Sequence, residues 1–226
     1  MSEWLDFFQN SLPQFYEGAL ITIQITLIGL GIGFAVGLPA ALARVYGGKW
    51  IRWLAVGYIE LFRGTPVLVQ LFVVYFGLPE FGITLSRMSA AYLALGLNSG
   101  AYQAEYFRGA IQAIGSGQMM AARAIGMRRL QAVRYIILPQ ALRLVIPPWS
   151  NEPISLMKAS AVAFLIAVPD LMTKAKILAA RTYDPIGTYL AVAVIYLILV
   201  FLLSAFLHFV EKRLRIPGLE LETQRT

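Results

Sequence analysis

Five apolar stretches divide this 226-residue chain, over about 19–43, 53–78, 88–113, 144–168 and 186–210. Each reaches the roughly 20 residues that an α-helix needs to cross a hydrocarbon core about 30 Å thick. Lipid offers no water to pair with backbone N–H and C=O groups, so such stretches become helices that satisfy those groups internally. Composition agrees: 58% hydrophobic and 14% charged residues leave too little polar surface for a soluble domain. The pattern predicts an all-α integral membrane protein with five transmembrane helices, forming a single domain over 1–226.

The segment 1–18 precedes the first span and carries Glu3, Asp6 and Glu17 but no Lys or Arg, which does not fit a signal peptide. Its Trp4, Leu5, Phe7, Phe8, Leu12, Phe15 and Tyr16, set among polar residues, suit an amphipathic helix at the headgroup level; a loose tail is the alternative.

The formal charge of +7 raises the question of nucleic acid, but the basic residues are scattered between apolar runs, so no nucleic-acid partner is expected. They read instead as topology signals. Placing the N-terminus outside puts 12 of the 19 Lys and Arg in inner segments, among them Arg44, Arg128 and Lys212. The outer segments then hold only Arg87, Lys174, Lys176 and Arg181, so the C-terminus is expected on the cytoplasmic side. With no cysteine and His208 as the one histidine, thiol chemistry is excluded and no metal site is expected.

Gly29, Gly33 and Gly37 leave one face of the first span bare for the close approach of another helix, within the chain or in a dimer. Glu60 and Arg63, and again Glu105 and Arg108, stand three residues apart on one helix face. Each spacing suits neutralisation within or between the two helices near the membrane, or a gate that re-pairs during a transport cycle.

The loop over 114–140 is cytoplasmic by the charge rule and helical in pattern. From Gln118 to Ala124 it favours helix, with Gly126 as a stop; a second helical stretch runs from Arg128 to Leu138 and is expected to end at Pro139. Ala121, Ala122 and Ala124 offer a low surface to a partner's groove, although Arg123, Arg128, Arg129 and Arg134 would equally suit contact with anionic headgroups.

Ala121-Ala122, three residues, Gly126, nine residues, Ile136, one residue, Leu138-Pro139: this spacing resembles the EAA loop of binding-protein-dependent ABC importer permeases. Glu60-Leu-Phe-Arg-Gly-Thr-Pro66 with Gln70, Gly117-Gln118, Pro139-Gln140-Ala141-Leu142-Arg143, and Asn151-Glu152 with Lys158 resemble the polar amino acid branch of that family. The likeness covers nearly the whole chain. It departs at Met120, where the family usually has Glu, and after Lys158, where Ala159 and Ser160 stand in place of Asp and Thr or Ser.

The resemblance implies a type I permease fold in the cytoplasmic membrane of a prokaryote, importing polar amino acids. It also implies cytoplasmic ATPase subunits, a second permease copy and an extracytoplasmic substrate-binding protein as partners. Met120, Ala121, Ala122, Arg123, Gly126, Ile136, Leu138 and Pro139 are then the ATPase-coupling residues. No G-x-x-x-x-G-K-[ST] loop occurs, so the chain is not expected to be an enzyme or to hold a cofactor; ATP and Mg belong to the partner.

Pro147, Pro148 and Pro153 are expected to interrupt the fourth span and free backbone groups there, and Lys158 lies in an apolar run that makes an unpaired cation costly. Lys158 and Ser160 are candidates for a substrate carboxylate, and Glu152, Asp170 or Asn98 for its ammonium group. Permanent pairing of Lys158 with Glu152 or Asp170 is the alternative. The acids slightly favour cationic or zwitterionic amino acids. A passive channel, or a membrane scaffold for an ATPase, is the competing function.

Overall fold

The computed structural model describes residues 2–114 and 116–214, with side-chain surroundings from residue 12 to residue 213. In chain order the helices are α1 (Ser2–Tyr46), α2 (Lys49–Gly64), α3 (Val67–Phe72), α4 (Arg87–Ala113), α5 (Ser116–Ala124) and α6 (Arg129–Ala132). They continue as α7 (Leu138–Leu144), α8 (Ile146–Trp149), α9 (Asn151–Ala159), α10 (Leu171–Thr182) and α11 (Pro185–Leu214), and the described residues contain no strand.

α1 runs on from Ser2 without a break, so the N-terminal segment is not a separate helix; the surroundings of Trp4, Leu5, Phe7 and Phe8 lie outside the described residues. Within the described part, Phe15 is buried against α10 and α11, where Leu171 and Val192 receive it. Leu12–Tyr46 and Pro185–Arg213 are each long and apolar enough to cross a membrane. The stretch expected as a second span is instead two helices that turn by 107° at Thr65–Pro66. Pro66 enforces the break, because it lacks an N–H and holds the preceding residue in an extended conformation.

The fourth stretch departs further from expectation. Ile146–Ile166 meets α10 at a bend of 52°, and the bend lies at Ala167 to Asp170 rather than at the prolines. Pro147 and Pro148 have no N–H to donate to the Arg143 and Leu144 carbonyls one turn earlier. The helix is interrupted at Val145, between α7 and α8, and at Ser150, between α8 and α9, with Pro153 in the first turn of α9. Trp149 N–H donates to the Val145 carbonyl and Ser150 N–H to the Ile146 carbonyl, each at 2.9 Å. The prolines therefore interrupt the helix as expected, while bonds such as these keep its direction. Counting each bent pair as one span, the described residues hold up to four candidate spans by length and composition.

α4 falls outside that count, and its position explains why. It is the central helix, with Ala91, Leu95, Ser99, Gln103 and Phe107 buried among α1, α2, α3, α7 and α9. A helix wrapped by others faces protein on most sides and needs no apolar coat against lipid. The glycine stripe of α1 packs here: a Cβ at Gly37 would stand 2.6 Å from the Gly100 carbonyl oxygen, and one at Gly96 2.7 Å from the Ile32 Cβ. Lipid tails are as apolar as leucine, so such backbone proximity and interhelical hydrogen bonds, not water exclusion, hold the bundle. Gln103 supplies such bonds, donating to the Leu30 carbonyl at 3.2 Å and accepting from Trp149 Nε1 at 3.0 Å.

Candidate functional site

α5 is a short helix with one buried residue, Ala122, while Met120, Ala121 and Arg123 are exposed. Its end follows from Gly126, whose φ of +88° lies in the left-handed region. There the Gly126 N–H reaches the Arg123 carbonyl at 3.0 Å and the Met127 N–H reaches the Ala122 carbonyl at 3.1 Å. This pair of bonds is a Schellman motif, satisfying two carbonyls that a helix end leaves orphaned. No atom lies within 4 Å of a Cβ built on Gly126, so conformation alone restricts this position.

α6 begins where the Gln131 side chain accepts from the Arg128 N–H at 2.8 Å. The following helix does not stop at Pro139. A π turn over Val133–Ile137 widens the coil, Leu138 N–H bonds back to the Val133 carbonyl, and Pro139 enters the first turn of α7. Gln140 Nε2 donates to the Ile136 carbonyl at 2.7 Å, pairing an acceptor at the break. Ile137 and Ala141 are buried with Ala104 and Phe107 of α4, while Ile136 and Leu138 are half-buried and Pro139 is exposed. An exposed helix is thus joined through a tight glycine turn to a segment rooted on the central helix.

Of the two expected Glu and Arg pairs nearby, one is neutralised within its helix and the other between helices. Arg108 binds Glu105 through Nε at 3.0 Å and Nη2 at 2.8 Å. Glu60 does not pair with Arg63; it stands 3.9 Å from Arg44, while Arg63 stands 3.9 Å from Glu105 and 5.4 Å from the centre of the Tyr102 ring. Arg44 also hydrogen-bonds Glu105 directly. One carboxylate therefore gathers arginines from α1, α2 and α4. Arg63 lies nearer Glu105, which is only 16% exposed, than Glu60, which is 62% exposed, because the less hydrated carboxylate is the stronger partner. Arg44 was legible in the sequence only as an inner-side charge.

Of the expected substrate residues, Ser160 and Asp170 both approach Tyr196, and Glu152 approaches Ser99, next to Asn98. Asn98 donates to the Phe62 carbonyl and to Gln70 Oε1, both at 3.0 Å. Gln70 Nε2 in turn donates to the Phe62 carbonyl at 2.8 Å, the Thr65 carbonyl at 3.0 Å and Thr65 Oγ1 at 2.8 Å. These two amides pair the carbonyls freed at the α2–α3 bend, a role that the spacing of Gln70 from Pro66 could have signalled. Ser160 is buried and donates back to the Met157 carbonyl at 2.7 Å. Asp170 is buried as the N-cap of α10, accepting from the Thr173 N–H at 2.9 Å.

Glu152 is buried on α9 beside Ser99 of α4, and Lys158 is exposed on the same helix. Six residues separate them, about 9 Å along the axis and on different faces. Among the described residues Lys158 makes no ion pair, so permanent pairing with Glu152 or Asp170 is not the arrangement found. No three His, Cys, Asp or Glu side chains among the described residues are grouped as a metal site.

The sequence model of the family described as binding-protein-dependent transport system inner membrane component matches residues 7–216. This chain belongs to that family. Such inner membrane components include a probable amino-acid ABC transporter permease, YckA of Bacillus subtilis, 39% identical over 204 residues that cover 90% of this chain and 90% of the relative. The L-cystine transport system permease TcyB of the same organism is 40% identical over 207 residues, covering 91% of this chain and 88% of its own. The glutamine transport system permease GlnP of Escherichia coli is 37% identical over 208 residues, covering 91% and 95%.

A crystal structure of an amino acid ABC transporter with histidines matches this inner membrane component with a TM-score of 0.85 at 38% identity, covering 93% of this chain and 98% of that one. The MetNI methionine ABC transporter shares the fold, with a TM-score of 0.77 at 21% identity over 90% of this chain and 97% of its own. This inner membrane component is therefore an ABC transporter permease of the amino acid group, all-helical among the described residues and of the type I permease fold.

Proposed function

We propose that this permease imports polar amino acids across the cytoplasmic membrane, driven by a separate ATPase that docks on α5 and the turn at Gly126. The observation that carries the reading is the pairing of an exposed helix with a rooted one. Met120, Ile125 and Leu130 are exposed apolar side chains amid Arg123, Arg128 and Arg129, a surface that favours a protein partner over water. Immediately beyond, Ile137 and Ala141 are buried with α4 residues, so a push on α5 passes to the centre of the bundle. With Met120 in place of the family's usual Glu, docking rests on shape and the Gly126 turn.

The proposed topology has five spans, with the N-terminus outside and the C-terminus in the cytoplasm. α4 is the span that hydropathy understates, since its polar residues face neighbouring helices. The charge asymmetry of the loops supports the orientation. A second permease copy and an extracytoplasmic binding protein complete the assembly, in keeping with the family.

For substrate, Lys158 is the residue proposed to meet a carboxylate, being exposed and without an ion pair among the described residues. Ser160 and Asn98 are taken up by bonds within the fold. Glu152 is buried beside Ser99, and Asp170 keeps one carboxylate oxygen, Oδ2, buried without a partner among the described residues, which supports the slight preference for cationic or zwitterionic amino acids. Uptake assays in proteoliposomes carrying the purified permease, its ATPase and binding protein test the reading. ATP-dependent accumulation of a polar amino acid against its gradient, abolished by Lys158→Met with ATPase docking intact, is the expected result. Equilibration without ATP would instead identify a passive channel.

A further inference from the structure

The face of α2 that begins at the Gly47–Gly48 turn is not used by the coupling loop or by the candidate substrate residues. A recess of about 390 Å³ lies on it, lined by Lys49, Trp50, Arg52, Trp53 and Val56. Lys49, Arg52, Trp53 and Val56 follow the i, i+3, i+4, i+7 spacing of one helix stripe. Trp50 and Trp53 are 78% and 69% exposed, and neither Lys49 nor Arg52 makes an ion pair among the described residues. Gly57 continues the stripe with open space where a side chain would stand. Gly48, as N-cap, gives no side-chain bond to the first turn, whose N–H groups add positive potential beside the two cations.

From the helix start, the stripe therefore presents two cations, then an indole, then an aliphatic side chain and a bare backbone. The change from charge to hydrocarbon occupies about 12 Å of helix axis. We infer that this stripe is a binding site for one anionic phospholipid, its phosphate on Lys49 and Arg52, its glycerol region on Trp53 and an acyl chain over Val56 and Gly57. Charge complementarity selects an anionic headgroup, and the apolar continuation selects a lipid over a soluble phosphate. The site lies in the cytoplasmic leaflet if the proposed orientation holds, and only that clause rests on the functional reading.

The test is native mass spectrometry of the permease, with the subunits that purify with it, from nanodiscs of phosphatidylcholine containing increasing phosphatidylglycerol. Wild type is expected to retain phosphatidylglycerol in preference to phosphatidylcholine. Lys49→Gln with Arg52→Gln should lower that retention on the order of tenfold or more. The charge-keeping pair Lys49→Arg with Arg52→Lys should retain the lipid, which separates loss of the site from loss of the fold. Equal retention of both lipids by wild type, or unchanged retention in the Gln pair, would overturn the proposal. Displacement by glycerol phosphate in place of the lipid would do so as well. Retention is scored without ATP or substrate, so a negative result would leave the importer reading standing, and failed uptake would leave the lipid site standing.

Discussion

Asn98 on α4 donates through Nδ2 to Gln70 Oε1 on α3 at 3.0 Å, and both amides also reach the same carbonyl, that of Phe62. The break between α2 and α3 is thereby fixed to the central helix. Gln70→Leu would leave the Phe62 carbonyl with Asn98 alone and remove the Gln70 bond to the Thr65 carbonyl. A loss of stability of about 1–3 kcal/mol is expected, read as a lower unfolding temperature of the purified protein in detergent. Asn98→Ala should cost less, because Gln70 retains its bonds to Phe62 and Thr65. Equal effects would show that the two amides do not act in this order.

The arginine cluster around Glu105 yields a second expectation. Glu105→Gln removes the charge that Arg44, Arg63 and Arg108 share, leaving the cations in mutual repulsion. Its cost should be about 2 kcal/mol, below the value for a fully buried pair because Glu105 retains some solvent contact. A double-mutant cycle with Arg44→Gln is the measurement, and a coupling of about 1–2 kcal/mol is expected. Zero coupling would mean that Arg108 alone neutralises the carboxylate.

At Gly126 the expectation concerns backbone conformation rather than volume. A Cβ would meet open space, yet φ is +88°. Gly126→Val should cost about 1–2 kcal/mol of local stability or shift the turn, uncoupling ATP hydrolysis from uptake. Gly126→Asn should be tolerated better, since Asn enters the left-handed region more readily. Comparing ATPase co-purification and uptake for the two variants checks this, and equal behaviour would argue against a role for the Schellman turn.

Gly37 and Gly31, about one and two-thirds turns apart on α1, make opposite predictions. Gly37→Ala would push a methyl group to 2.6 Å from the Gly100 carbonyl oxygen, against backbone that cannot rotate away. A destabilisation of about 1–3 kcal/mol is expected. Gly31→Ala meets nothing within 4 Å and should be neutral or slightly stabilising. Thermal unfolding of the two variants side by side decides whether the α1–α4 approach is as close as described.

The sequence by itself determined the class of this protein: apolar runs of sufficient length leave the helix as the economical way to satisfy the backbone in lipid. The Ala121–Pro139 spacing and the stop at Gly126 were equally legible, because a helix end depends on a few neighbouring residues. Tertiary structure decided which charges meet and which polar groups are free. Arg44, Glu60, Arg63 and Glu105 lie on three different helices, so their partners follow from how α1 and α2 lean on α4. The same holds for Asp170 and Ser160, candidates for substrate in the sequence but bonded to backbone in the fold. Local order is written in near neighbours, whereas the pairing of polar side chains depends on the energy of burying them. That energy is set by whatever helix the chain brings back to the same place.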